Sequence, residues 1–207
     1  MPVYQIDGVT PVVHPSSYVH PTAVIIGDVI IGPDCYIGPL ASLRGDFGPI
    51  HIGRGVNIQD SCVVHSFQDI TVVIEDYAHI GHCATLHGCH IKEGVLVGMS
   101  ATVMDKAVVG ERSFVAAHSF VKTGDQFDAE RMILGTPAKD VRALSSEEMA
   151  WKHSGTEAYI ELGRRSKLSC IETEALAEVE ENRPTIKFET KVDTKQATLA
   201  KKSGDEA

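Results

Sequence analysis

An aliphatic residue recurs at six-residue intervals from residue 19 to residue 121, and this repeat limits the possible folds more than any other feature of the chain. The pattern has 17 members, and each of them is Ile, Leu or Val. The members are Val19, Ile25, Ile31, Ile37, Leu43, Ile52, Ile58, Val64, Ile74, Ile80, Leu86, Ile91, Val97, Val103, Val109, Val115 and Val121. A period of six is not helical; it is typical of a parallel β-helix built from short strands. An irregular β-sandwich is the alternative, and the number of regular matches argues against it.

Two further positions of the repeat support this fold. The residue four places after the aliphatic one is usually small, as in Ala23 and Cys35, although Phe47 is a larger exception. Glycine often follows the aliphatic residue directly, as in Gly53 and Gly98, and we expect it to supply the backbone geometry of the corners. Repeats of this class resemble left-handed β-helices of triangular section, with three hexapeptides in each coil.

The repeat is interrupted at three places. Three extra residues precede Ile52, four extra residues precede Ile74, and one residue is missing before Ile91. We expect the two insertions to form bulges or small loops at corners of the coils. When they are left out of the count, one full coil separates His65 from His87.

The repeat ends after Val121, and a different pattern follows. We predict an all-β solenoid, a left-handed parallel β-helix of hexapeptide repeats, over residues 1–142 with its N-terminal lead-in. Residues 143–182 are predicted to form a helical segment packed on the coils, with Ser145 or Ser146 as its N-cap. Residues 183–207 are polar and aperiodic, which predicts a loosely ordered tail.

Composition excludes several classes of function. The chain carries 19 basic and 28 acidic residues, a net charge of −9, which argues against nucleic acid and anionic membrane surfaces as partners. No apolar run is long enough to span a membrane, and the first residues lack the features of a signal peptide. The five cysteines form no CxxC motif, which favours free thiols in a reducing cytoplasm.

Three side chains should stack on one face of successive coils. Arg44, His65 and His87 each follow an inward aliphatic residue, so they point outward about 4.8 Å apart. Two imidazoles stacked in this way can reach one metal ion such as Zn²⁺. The alternative, that these are solvated surface histidines, stays open on spacing alone.

A third histidine lies on a different face. His82 and Asp60 occupy equivalent positions on the preceding face, one coil apart, so His82 is poorly placed to join His65 and His87 within one chain. In a homotrimer, His82 of a neighbouring chain could complete a three-histidine metal site. The same packing would bring Arg44 toward Asp60 of the neighbour as an ion pair.

The motifs in this region resemble those of the γ-class carbonic anhydrase family. They are SLRGDFG at 42–48, NIQD at 57–60, His65, and HIGHCATLHGC at 79–89. The resemblance implies a homotrimer of left-handed β-helices with a metal at each subunit interface. It assigns the metal ligands, which are His65, His82 and His87, for Zn²⁺ with Fe²⁺ or Co²⁺ as substitutes. It also assigns catalytic or supporting roles to Gln59, Asp46 and Tyr159, and interface roles to Arg44 and Asp60.

Segments at 1–13, 97–105 and 135–159 resemble the branch of that family linked to phenylacetate degradation, with the carnitine-operon branch next. Phe47 stands where the best-studied anhydrases of this class carry a proton-shuttling glutamate. We therefore predict a metal-dependent hydrolase of acyl-CoA thioesters that uses metal-bound hydroxide at the trimer interfaces. The alternatives are CO₂ hydration at the same site, with CO₂ and bicarbonate as ligands, a hexapeptide acyltransferase, or a non-catalytic accessory protein.

Overall fold

Short parallel strands stack into a solenoid of seven coils, with one helix packed along its side, in the computed structural model of residues 2–194 and 197–198. This arrangement confirms the predicted parallel β-helix and its C-terminal helix. Met1, residues 195–196 and residues 199–207 lie outside the described residues, so the predicted tail is described only in part.

The described residues form twenty strands and one long helix. The strands are β1 (Val3–Tyr4), β2 (Val12–Val13), β3 (Tyr18–Val19), β4 (Val24–Ile31), β5 (Tyr36–Ile37), β6 (Ser42–Ile52), β7 (Asn57–Ile58), β8 (Val63–His65), β9 (Val72–Ile74), β10 (His79–Ile80), β11 (Thr85–His87), β12 (His90–Ile91), β13 (Leu96–Val97), β14 (Thr102–Val103), β15 (Val108–Val109), β16 (Phe114–Val115), β17 (Phe120–Val121), β18 (Gln126–Phe127), β19 (Arg131–Gly135) and β20 (Ala138–Ala143). The helix is α1 (Ser146–Ser169).

The strands line three faces. The first face contains β1, residues 24–27 of β4, residues 42–45 of β6, β8, β11, β14 and β17. The second face contains β2, the remainders of β4 and β6, β9, β12, β15 and β18. The third face contains β3, β5, β7, β10, β13, β16 and β19, and β20 closes it as an antiparallel partner of β19.

The six-residue repeat is the core of the solenoid. Sixteen of its 17 members are buried, and Val19 is half-buried. Phe47 does not take the inward position that its spacing suggested, because it lies in the first insertion and is 54% exposed. Ile50 takes that position instead, pairs with Val29 on the coil before, and is fully buried.

Glycine serves the coils in a different way from the one we expected. Gly53 and Gly98 do not have positive φ angles, while the corner residues Ser61 and Cys83 do, at 59° and 60°. A Cβ atom added to Gly98 would lie 2.5 Å from the backbone nitrogen of Ala117 on the next coil. Gly98 is therefore required by the close approach of neighbouring coils, not by corner conformation.

The helix α1 begins where the sequence predicts. Ser145 is its N-cap, and the Ser145 and Glu148 side chains each accept a hydrogen bond from the other residue's backbone N–H. The helix ends at Ser169, well before residue 182, and irregular chain follows to residue 194. In the part of the chain that the structure describes, no helix combines the length and apolar character needed to cross a membrane.

Part of the irregular C-terminal chain lies along α1. The Glu161 carboxylate accepts hydrogen bonds from the backbone N–H groups of Glu189 and Thr190, at 3.0 and 2.8 Å. The Trp151 indole donates to the Asp193 carbonyl oxygen at 2.8 Å. The segment before residue 194 is thus tied to the helix by hydrogen bonds, although its composition predicts a loose tail.

Candidate functional site

Two histidines face each other on the first face of the solenoid. The strands β8 and β11 are parallel neighbours, and their register pairs His65 with His87. The imidazole centroids are 5.3 Å apart, and Nδ1 of His65 lies 3.3 Å from Nε2 of His87. The one-coil spacing therefore does bring these two predicted site residues together.

A carboxylate lies at each end of this pair. Oδ1 of Asp46 is 3.0 Å from Nε2 of His65, and Oδ1 of Asp105 is 2.7 Å from Nδ1 of His87. We call Asp46, His65, His87 and Asp105 the imidazole–carboxylate chain. Asp105 is buried and was not among the predicted site residues, although it follows His87 by 18 residues, which is one full coil.

The third member of the predicted column, Arg44, supports this chain from outside. Its Nε donates to Oδ2 of Asp46 at 3.1 Å, and its Nη2 lies 3.4 Å from Nε2 of His65. Burial raises the pKa of Asp46, but the hydrogen bonds from Arg44 and His65 outweigh burial and leave that pKa below its ordinary value. Asp46 is therefore an ionised acceptor at neutral pH.

The hydrogen bonds of the chain fix where its protons lie. The ionised Asp46 carboxylate only accepts, so His65 donates from Nε2 to Asp46 at 3.0 Å, and the longer 3.4 Å approach of Arg44 Nη2 to the same nitrogen is not a hydrogen bond. On the other side of the pair, Nδ1 of His87 donates to Asp105. In the form with one N–H on each ring, both facing nitrogens carry lone pairs. Two lone pairs 3.3 Å apart repel each other unless a proton or a cation is shared between them.

The same distance permits a test of the predicted metal. Two nitrogens bound to Zn²⁺ at about 2.0–2.1 Å in tetrahedral geometry lie about 3.3 Å apart. The observed separation of 3.3 Å between His65 and His87 matches this value. Carboxylates that hold the outer nitrogens of ligating histidines are also the usual support of such ligands. The pair therefore fits two positions of a metal site.

The third predicted ligand lies elsewhere in the chain. His82 follows β10 at the corner between the third and first faces, and its Nδ1 is 2.5 Å from Oδ2 of Asp60. Within residues 2–194 and 197–198, no group of three or more His, Cys, Asp or Glu is arranged to hold a metal. A three-histidine site, and the predicted Arg44–Asp60 pair, therefore both require a second chain.

Gln59 follows β7 on the third face, and Tyr159 projects from α1 onto that face. The Gln59 amide nitrogen is buried and donates to Oδ1 of Asn57 at 3.0 Å and to Nε2 of His79 at 2.5 Å. Burial lowers the pKa of His79 to about 3, so the ring is neutral and can accept. The Tyr159 ring lies 5.3 Å from His79 and 5.4 Å from Tyr36, and burial raises the pKa of its hydroxyl to about 12. These contacts place both side chains between α1 and the third face and not against the His65–His87 pair.

Comparison with known proteins identifies the family. A model of the bacterial transferase hexapeptide, described as six repeats, matches residues 10–45. A carnitine operon protein, CaiE of Proteus sp. (strain LE138), is 49% identical over 195 residues, which cover 94% of this chain and 99% of that protein. The chain belongs to the CaiE family of hexapeptide-repeat proteins. Of the two branches that the sequence suggested, the relatives thus favour the carnitine-operon branch, and the phenylacetate branch is not supported.

Solved structures extend the likeness of this CaiE-family chain. A Bacillus cereus protein described as an acetyltransferase is 32% identical, with a TM-score of 0.79 over 80% of this chain and 96% of the other. A hexapeptide transferase family protein from Anaplasma phagocytophilum is 37% identical, with a TM-score of 0.76 over 79% and 96%. Both resemble this chain over the solenoid and most of its length.

These relatives overturn the predicted activity. We expected a metal-dependent acyl-CoA thioesterase of phenylacetate degradation, with CO₂ hydration as the first alternative, and that prediction is wrong. The relatives are carnitine operon proteins, and the similar structures are an acetyltransferase and a hexapeptide transferase. The prediction failed because hydroxide chemistry and acyl transfer draw on the same histidines and carboxylates, and the motifs do not separate them.

Proposed function

We propose that this CaiE-family protein transfers acyl groups between CoA and an acceptor hydroxyl in carnitine metabolism, with the His65–His87 pair as general base. The imidazole–carboxylate chain is the observation that carries the proposal. When the pair accepts one proton from the acceptor hydroxyl, that proton lies between the two facing nitrogens and removes the repulsion of their lone pairs. Asp46 and Asp105 then stabilise the resulting positive charge from both ends.

In this reaction the thioester carbonyl accepts the attacking oxygen, and the thiolate that leaves accepts the proton. The acceptor oxygen attacks the thioester carbonyl while its proton passes to the His65–His87 pair. The carbon–sulfur bond breaks as the new carbon–oxygen bond is completed, and the CoA thiolate takes the proton from the pair. The products are an acyl ester and free CoA. The His65 and His87 side chains are 17% and 21% exposed, so they are accessible to an acceptor and supported by the coils.

The metal and the trimer remain predictions beside this proposal. The facing nitrogens of His65 and His87, with His82 of a neighbouring chain, would hold Zn²⁺, Fe²⁺ or Co²⁺ in a homotrimer. A bound ion would supply positive charge to the oxygen of the thioester carbonyl. An ion bound there would take up the lone pairs that the general base uses, so the acyl transfer described above belongs to the pair without an ion.

The test measures acyl transfer directly. Carnitine and simple alcohols are offered as acceptors with a panel of acyl-CoA donors, and free thiol and acyl product are both quantified. Asp105→Asn should lower kcat by about 10²–10⁴-fold, because His87 then loses the carboxylate that orients it. His51→Gln, at an exposed histidine of the second face, is the matched control and should leave kcat unchanged. If no acyl product forms with any donor and acceptor of the panel, the proposed transferase activity is refuted and the non-catalytic accessory role is favoured.

A further inference from the structure

The two insertions of the repeat lie at the same corner, between the first and second faces, in successive coils. Residues 46–49 contain the three extra residues of the first insertion and residues 66–71 the four of the second, and we call the two segments together the corner bulge. A Cβ atom added to Gly48 would clash with the Ile70 carbonyl oxygen and lie 2.5 Å from that of Phe67. The Ser66 hydroxyl, which is buried, also donates to the Ile70 carbonyl oxygen at 2.5 Å. The two insertions are therefore packed together as one layer.

Each insertion places a phenylalanine against one imidazole of the site. The Phe47 ring centroid lies 5.5 Å from that of His65, and the Phe67 ring lies 4.9 Å from His87 in an edge-to-face arrangement. Phe47 and Phe67 are nevertheless 54% and 56% exposed. The two insertions thus place a solvent-exposed apolar surface, made of two phenylalanine rings, directly beside the proposed base. We call this surface the wall.

The chemistry of this wall limits what can lie against it. An acyl group whose carbonyl is within reach of the His65–His87 pair would contact the two rings and gain by covering them. The ionisable residues of the bulge are Asp69 and Asp46, and Asp46 is paired with Arg44, so the bulge itself offers an anionic acyl group no cationic side chain while its two rings would strip water from the carboxylate. The surface therefore suits an uncharged, apolar acyl chain.

We propose that Phe47 and Phe67 form the acyl-binding wall of the site and select uncharged apolar acyl groups over anionic ones. This inference rests on the proposed acyl transfer for its biological meaning, but the wall can be tested without turnover. Thioethers of CoA with alkyl groups of increasing length have no carbonyl to attack, so they report binding alone.

The experiment is calorimetric titration of the full chain with S-methyl-, S-butyl- and S-hexyl-CoA and with an S-carboxyalkyl-CoA of matched length. Affinity should rise with chain length, up to about four-fold for each methylene that is fully covered. The carboxyalkyl analogue should bind at least ten-fold more weakly than the alkyl compound of its length. Phe47→Ala/Phe67→Ala should flatten the chain-length series, and Phe47→Leu/Phe67→Leu should retain most of it.

Phe188→Ala, at an exposed phenylalanine on the C-terminal segment beside α1, is the matched control and should leave the series unchanged. A flat series in the unaltered protein, or an unchanged series in the double alanine variant, refutes the wall. A change in the sedimentation of that variant, with binding retained, would show that the rings belong to a subunit contact and overturn the assignment. If the double alanine variant does not fold, the chain-length and carboxylate comparisons on the unaltered protein decide alone. If affinity rises steeply with alkyl length but the transfer assay yields no acyl product, the proposed activity is refuted and the assignment of the wall is supported.

Discussion

Lys152 is a buried cation, and its removal should stabilise the protein at neutral and acidic pH. The side chain lies between α1 and the third face and is only 6% exposed. Its Nζ donates to the Tyr77 carbonyl oxygen, and its surroundings include Phe114 and Met149, which line a cavity of about 200 Å³ with it. Burial lowers the pKa of Lys152 from its ordinary value of 10.5 to about 7, although the charge of Glu93 opposes this shift.

The magnitude follows from that shift. Lowering a pKa from 10.5 to about 7 corresponds to about 5 kcal/mol that the folded state loses while the amine is charged. The folded protein releases this proton at lower pH than the unfolded chain does. The contribution of Lys152 to the free energy of unfolding therefore rises as pH increases from about 7 to 10.5, and below pH 7 the full penalty is present.

Lys152→Met removes the penalty and loses one hydrogen bond to a carbonyl oxygen, which offsets about 1–3 kcal/mol. We expect the variant to be about 2–4 kcal/mol more stable than the unaltered protein at pH 6. The advantage should vanish between about pH 8 and pH 10, where the remaining penalty equals the lost hydrogen bond, and should reverse at higher pH.

Urea denaturation followed by circular dichroism at pH 6, 8 and 10 measures these differences. Lys167→Met, at an exposed lysine on the same helix, is the control and should change stability by no more than about 0.5 kcal/mol. A loss of stability in Lys152→Met at pH 6, or a stability difference between the two proteins that does not shrink from pH 7 to pH 10, would refute the reasoning.

The assembly leads to two further predictions. A chain carrying His82→Ala, mixed with one carrying His65→Ala and His87→Ala, should regain metal in hybrid trimers, as measured by elemental analysis after gel filtration. Hybrids that form without regaining metal would rule out the shared site. Arg44→Ala should raise the dissociation constant of the trimer at least ten-fold, about 1.4 kcal/mol, because the predicted pair with Asp60 is lost; sedimentation at low protein concentration checks this, and an unchanged trimer contradicts it.

The repeat predicted the fold because the repeated aliphatic residues are themselves the buried residues of the core. The six-residue spacing places one aliphatic residue inside the solenoid at each strand. This placement can be predicted from the local sequence alone. The same arithmetic paired His65 with His87 correctly, and applied once more it would have found Asp105, one coil later. Phe47 was misplaced because an insertion shifts the count without marking where it begins.

Other features depend on parts that the repeat does not describe. From their positions in the repeat, Asn57 and His79 are predicted to point outward into solvent. In the structure they are covered by α1. The close approach that requires glycine at Gly98 is visible only when two coils are in contact. The chemistry of the site was predicted wrongly for a different reason, since histidines held by carboxylates serve both a metal-bound nucleophile and a general base.

The imidazole–carboxylate chain takes one residue from each of four consecutive coils. In a repeat protein each coil contacts only its neighbours, and the spacing along the chain is that of backbone hydrogen bonds between strands. The distances between His65, His87 and Asp105 are therefore set by the scaffold before any ligand arrives, while Asp46, which lies in the first insertion, is held by Arg44. A site of this kind is preorganised, and the motion needed for binding and release must come from the ligand and from the exposed rings of the corner bulge.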